Sequence, residues 1–259
     1  MQKPHLSVHK WRVLPLVIAP QQYHIDLSEQ LLKEASSNEP ATLYWSQAES
    51  RGLVLGFSQK ESVLNPSVLS AQTIPLYHRR AGGTVVLVGP ELLSLDVILP
   101  AGHPYILPDI VESYRWFGSA WAKTLGSLGV EARVVLPEEA HAQRTLLKEE
   151  DTRSREAILR RACFGSLSSY EVIAKGRKVV GLDMIRRRTG SLLQAGVLLR
   201  WNVDPLAELL GHTQEEQAIL GEGLSERAIG LDILTGRPTS AMQVIAAFEE
   251  VLKSIESDS

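Results

Sequence analysis

Cysteine is nearly absent from this chain of 259 residues, and Cys163, its one example, excludes both an intramolecular disulfide framework and a cysteine-based zinc cluster. Long apolar runs are also missing. No stretch approaches the ~18 residues a membrane-crossing helix needs, so no membrane span is expected. The chain opens on a polar segment, 1–11, with Lys3, His5, His9 and Lys10, rather than on a charged-then-apolar leader. Basic excess is absent as well: the formal net charge is −3, which argues against a general nucleic-acid binder. These absences together predict a cytoplasmic protein. What is present is ordinary globular composition, 44% hydrophobic and 22% charged, enough apolar material for a substantial core.

Periodicity supplies the elements. Residues 23–35 place Ile25, Leu27, Leu31 and Leu32 near helical spacing. Runs at 42–45 and 52–57 are strand-like, and 83–99 predicts a hairpin turning at Gly89-Pro90, with a buried strand over 92–99. The best helix is 109–129, with Asp109 and Glu112 as a capping box and Ile110, Tyr114, Phe117, Trp121, Leu125 and Leu128 on one face. A strand at 131–136 follows. Residues 138–161 carry charge of both signs and predict a solvated helix or loop, placed so that it could gate Cys163. Strands are expected at 170–174, 178–184 and 191–199, and helices at 204–210 and 240–255. The order lacks a strict βαβ rhythm, so the predicted fold class is α+β, with mixed β-sheets flanked by helices in one domain over 1–259.

Three short segments carry candidate chemistry. In the first, Arg79 and Arg80 precede Gly82, Gly83 and Thr84; paired glycines allow a backbone to approach a ligand, and arginine offers a charged fork for carboxylate or phosphate. A plain surface turn explains the same residues. In the second, Lys178 stands at the head of an apolar strand between Gly176 and Gly181, where an ammonium could neutralise ligand charge, or simply follow a hairpin turn into solvent. In the third, Cys163 follows Arg160 and Arg161, which would favour a thiolate; a small buried hydrophobe is the other reading. Among the histidines, His78 beside Arg79 is the one near a candidate site. No spacing suggests a metal.

Taken in order, these segments resemble the lipoate–protein ligase and octanoyltransferase family, which shares the catalytic fold of the biotin protein ligases. The resemblance rests on Leu53 to Gln59, on Arg79 to Val86 continuing through Leu92 to Ile98, on Gly176-Arg177-Lys178-Val179-Val180-Gly181, and on Arg227 to Leu231. Ala162-Cys163-Phe164 with Ser169-Tyr170-Glu171 is similar to the branch that uses a cysteine nucleophile. The chain departs from the family at Leu182-Asp183-Met184, at Ala195 where a histidine is common, and at Val88 or Gly89 where another is. The resemblance implies an octanoyl or lipoyl substrate lying in an apolar tunnel behind the Gly82-Gly83 loop. It implies transfer to a lysine of a lipoyl-carrier domain or glycine-cleavage H-type protein, with acyl carrier protein as a donor. Two enzymatic routes follow. A transferase needs no cofactor and uses Cys163 as nucleophile with Lys178 at the acyl carbonyl. A ligase uses ATP and Mg to make an acyl-adenylate, its phosphate held by Arg79 or Arg80 and the glycine loop. A carrier-binding module without catalysis is the reading from another class.

Overall fold

The computed structural model describes residues 11–257, so the polar segment that opens the chain lies almost wholly outside it. In chain order the elements are β1 (Arg12–Ala19), α1 (Gln21–Glu34), β2 (Thr42–Ala48), β3 (Gly52–Leu55), α2 (Pro66–Gln72), β4 (Leu76–His78), β5 (Val86–Val88) and β6 (Leu92–Pro100). They continue with α3 (Arg115–Ser127), β7 (Ala132–Val134), α4 (Pro137–Thr145), α5 (Arg153–Leu159), β8 (Val172–Ala174), β9 (Arg177–Arg186) and β10 (Gly190–Leu198). The last are α6 (Asp204–Leu210), α7 (Gln214–Arg227), α8 (Leu231–Thr235) and α9 (Ala241–Ser257). Seven strands form one mixed sheet in the order β1-β2-β6-β10-β9-β8-β7, and three form a second, β4-β3-β5. The mixed-sheet α+β class holds. Among the described residues no helix is long and apolar enough to cross a membrane.

One face of the large sheet makes the main core. Leu93, Leu95, Val97 and Leu99 alternate inward along β6 and meet α3 and α9. There Trp121 and Phe248 meet at 4.5 Å between ring centroids, their planes tilted by 42°, with Phe117 and Trp45 edge-on to Phe248. The helix predicted at 109–129 does pack on the sheet, but it begins later. Asp109 accepts from the amides of Val111 and Glu112, and a single 3₁₀ turn intervenes before α3. No capping box forms, because the Glu112 carboxylate takes the Tyr170 hydroxyl and the Arg115 guanidinium instead. Ile110 is exposed and Leu128 half-buried, so the buried stripe is Phe117, Ala120, Trp121, Thr124 and Leu125. Gly129, at φ +81°, stops the helix as expected.

The predicted hairpin over 83–99 is not one. β5 pairs with β3 in the small sheet, whereas β6 pairs with β2 and β10 in the large one. The Gly89-Pro90 turn therefore transfers the chain between sheets, and the runs at 42–45 and 52–57 are split between sheets in the same way. The charged stretch 138–161 forms α4 and α5. Its end nearest Cys163 is anchored: the buried Glu156 carboxylate pairs with Arg227, which also donates to the Gly165 carbonyl at 2.7 Å.

Candidate active site

A cavity of about 400 Å³ opens between the other face of the large sheet, the small sheet and α1. The three separate sequence segments meet on it. Cys163, Lys178, Arg79, Gly83, Thr84 and Gly181 all line it. Arg80, Gly82 and Gly176 do not. Arg80 is on the outside, paired with Glu29 at 2.7 Å. Gly176, at φ +73°, makes the β8–β9 turn, a backbone role rather than a ligand contact.

Cys163 begins a short 3₁₀ turn ending at Gly165. The strand-like segment before it is stitched to the small sheet: Val85 N donates to Arg161 O at 3.1 Å and Cys163 N to Val85 O at 2.8 Å. Phe164 then plunges inward and leaves the half-buried thiol at the cavity wall. Arg161 does not face that thiol. Its guanidinium is occupied by Glu216 and the Leu210 carbonyl, both on the outer side. Of the two arginines expected to act on Cys163, Arg160 alone lines the cavity.

The cation at the cysteine turn is Lys178, which is 1% exposed rather than partly so. Its ammonium donates to Cys163 O at 2.9 Å and Ser166 O at 3.0 Å, and pairs with Glu171 Oε1 at 2.7 Å. It also lies 5.1 Å from the Phe164 ring centroid. Burial works against this ammonium, but Glu171 and Cys163 outweigh it and hold the lysine above its ordinary value. Burial likewise pushes Glu171 up, opposed by Lys178 and by the amides of Ser168 and Leu182. With three donors on the carboxylate and three acceptors on the ammonium, the pair is ionised. Glu171 is aimed by Tyr170, which sits at φ +66° with its carbonyl against Gly118 of α3.

Arg79 supports the glycine loop from inside. It donates to Gly82 O at 2.9 Å and Thr84 O at 3.3 Å and faces Asp183 at 3.4 Å. This occupies the fork that the sequence offered to a phosphate. Gly56 is what lets the loop close down, since a Cβ there would stand 2.1 Å from Gly83 O.

The tunnel expected to be apolar is not uniformly so. Val54, Val86, Val88 and Leu92 give an apolar wall, but His24, Ser28, Asp96 and Gln194 line the cavity too. Gln194 Nε2 donates to Asp96 Oδ1 at 2.9 Å, and Ser28 contacts Asp96 Oδ2. Burial lifts the Asp96 carboxyl to about 6. His24, lowered by burial, accepts from or donates to Tyr44 at 2.6 Å and meets the Gln47 carbonyl at 3.1 Å. The histidine at the cavity is thus His24, whereas His78 lies outside near Glu61. Sequence reasoning missed His24 and Ser28 because the helix was oriented by its leucines. The i, i+4, i+8 series His24, Ser28, Leu32 was the available signal, and it is the buried face.

Known proteins resemble this chain in sequence and in fold. The octanoyltransferase LipM of an Exiguobacterium strain is 28% identical over 215 residues, covering 83% of this chain and 74% of its own length. That of Bacillus cereus is 28% identical over 248 residues, covering 94% and 85%. Among solved structures, an archaeal bipartite lipoate protein ligase from Thermoplasma acidophilum superposes with TM-score 0.72 at 17% identity, over 95% of this chain and 83% of its own. A lipoate-protein ligase A bound with ATP gives TM-score 0.69 at 18% identity, over 95% and 85%, so both show the fold alone. The model of the lipoyl protein ligase A/B catalytic domain matches residues 20–253, nearly the whole chain, which therefore belongs to that family.

Proposed function

We propose that this protein is a cytoplasmic acyltransferase that moves an octanoyl or lipoyl group, by way of Cys163, onto a lysine of a lipoyl-carrier domain or a glycine-cleavage H-type protein. The observation that carries the reading is the Cys163 turn held at the cavity by the buried Lys178–Glu171 pair. The family and its octanoyltransferase relatives support it. The chain acts as one catalytic unit, and a reducing compartment keeps its lone thiol available.

In the first half-reaction the Cys163 thiolate attacks the carbonyl of an acyl thioester, such as one on acyl carrier protein. A carbon–sulfur bond forms to Cys163, the bond to the donor breaks, and the donor leaves as a thiol after taking a proton. In the second, the acceptor amine attacks the acyl-cysteine, a carbon–nitrogen bond forms, and the amine's proton passes to the departing Cys163 sulfur. Splitting the transfer this way replaces one difficult step by two easier ones. Lys178 positions the turn in the resting state. When an oxyanion develops beside Cys163 it competes with two neutral carbonyls for the same ammonium, and the charged acceptor makes the stronger bond. Arg79, Gly83 and Thr84 shape the acyl wall, with no phosphate role assigned to the arginine.

The test is incubation with an octanoyl thioester and a lipoyl domain, without nucleotide, followed by intact mass of the domain. The reading expects one octanoyl addition. Modification that occurs only with the free acid, ATP and magnesium would assign the chain to ligase chemistry instead, and no modification under either condition would leave a carrier-binding module.

A further inference from the structure

Two of the charges that line the cavity have no counterpart. Four cations face it, Arg79, Arg144, Arg160 and Lys178, against three carboxylates, Asp96, Glu171 and Asp183. Lys178 is matched by Glu171, and Arg79 by Asp183. Asp96 belongs to the inner end, where Ser46 of β2, Ser94 and Asp96 of β6 and Gln194 of β10 make a polar floor. Its hydrogen bonds come from Gln194 and from Ser28 of α1. Arg144 and Arg160 remain, and neither guanidinium has a hydrogen-bond or ion-pair partner among the described residues. The chain as a whole carries −3, so two unmatched cations at one opening do not follow from general basic charge.

Both arginines come from the charged stretch 138–161. Its other three arginines are occupied: Arg153 by the Leu147 and Lys148 carbonyls, Arg155 by Glu226, and Arg161 by Glu216. Arg144 is in the last turn of α4, and Arg160 stands at the end of α5. A helix C-terminus favours a cation, which accounts for the charges but not for both of them lining the cavity. Side-chain contacts hold the segment there. Gln143 accepts from the Leu167 amide at 2.6 Å, tying α4 to the loop that leaves the Cys163 turn, and Glu156 of α5 is clamped by Arg227. Arg144 is exposed and Arg160 half-buried, so they stand where the cavity meets solvent. Ser166, Ser168 and Ser169 also line the cavity, and their hydroxyls have no partner among the described residues. The mouth beside Cys163 thus presents two charged forks and three hydroxyls to an anion with several oxygens.

An acyl thioester has two halves. Its hydrocarbon runs inward from Cys163 along Val54, Val86, Val88 and Leu92, so its thiol arm leaves past Arg160, three residues before Cys163. We propose that Arg144 and Arg160 seat a phosphate ester carried on that thiol arm, so that these two residues select the acyl donor. The planar guanidinium fork matches phosphate oxygens, and neither arginine has to give up another partner to bind them. This rests on the acyl-transfer reading above for what enters the mouth; binding measured without chemistry tests the site by itself.

The experiment gives the full chain two acyl donors that differ by the phosphate alone, S-octanoyl-pantetheine and S-octanoyl-4′-phosphopantetheine. Binding of the two free thiols is measured by calorimetry, and acylation of Cys163 is followed by intact mass with no acceptor present. The phosphorylated member is expected to be favoured at least about tenfold in both, and less so as salt rises. Arg144→Gln with Arg160→Gln should bring both ratios close to one, and Arg144→Lys with Arg160→Lys should keep part of the preference. Equal treatment of the two compounds by the wild-type chain, or an unchanged ratio in the Arg144→Gln/Arg160→Gln variant, would overturn the proposal. So would equal slowing with both donors, since the arginines would then act on Cys163 itself. Octanoylated acyl carrier protein is the third donor. A defect confined to it would put the arginines on the carrier's surface rather than on a phosphate, and would overturn the proposal too. No acylation of Cys163 from any donor, with the phosphate preference in binding intact, would support this site and overturn the acyl-transfer reading instead.

Discussion

Lys178 shows how a single residue can be legible in type and illegible in setting. A lysine entering an apolar strand between glycines was visible, and so was the cysteine upstream. That its partner would be Glu171, seven residues earlier and just ahead of β8, was not, because only the β8–β9 turn brings the two together. Loss of the lysine therefore does more than remove a charge from the cavity. Lys178→Ala leaves Glu171 buried and unpaired, and we expect it to lower unfolding free energy by about 3–5 kcal/mol as well as abolish activity. Urea denaturation checks this, and Lys178→Met with Glu171→Leu should recover stability without recovering activity. A fully stable Lys178→Ala would contradict the ionised pair. Asp96 gives a second residue-scale prediction. Its folded value of about 6 exceeds the ordinary 3.8, so the folded state holds the proton longer. Its contribution to stability is present below about pH 4 and is lost as pH rises through about 6. Asp96→Asn should therefore stabilise the protein above pH 7, by up to about 3 kcal/mol, with the gap closing near pH 4. A gap that persists at pH 4 would contradict the shift.

At the scale of elements, strands and long amphipathic helices were readable and sheet membership was not. β8, β9 and β10 lie close to their expected places because each is a short apolar run bounded by turn residues. β1 escaped notice: Pro15 interrupts its pattern, which an edge strand tolerates with a register shift between Leu14 and Val17. α7 was missed as well, since its buried residues include Gly223 beside Leu220 and Leu224, too narrow a stripe to stand out. The segment 83–99 was read as a hairpin because alternation says which face a residue takes and nothing about which sheet it joins. That change of sheet brings the glycine loop over the cavity, with Gly56 of the neighbouring segment pressed against it. Gly56→Ala places a Cβ 2.1 Å from Gly83 O and must displace the loop. We expect at least a roughly tenfold fall in kcat/KM, about 1.4 kcal/mol of transition-state stabilisation. Unchanged steady-state kinetics in that variant would show that the loop does not shape the acyl site.

For the molecule as a whole, the sequence reached the family and the fold class, because motif order along the chain survives where packing details do not. It placed Cys163, Lys178 and the glycine loop near one another only through the resemblance; the cavity joining them is made by two sheets that no local pattern connects. The polar floor had no such guide, being composed of single residues on β2, β6, β10 and α1 that become neighbours only when folded. The central claim is that acyl transfer passes through the cysteine at this cavity. Intact mass of the protein after brief exposure to an octanoyl thioester tests it most directly. The account predicts one octanoyl group added, removed by hydroxylamine, and absent from Cys163→Ser, which is also inactive toward a lipoyl domain. No adduct, together with a Cys163→Ser enzyme that still modifies the domain, would contradict it.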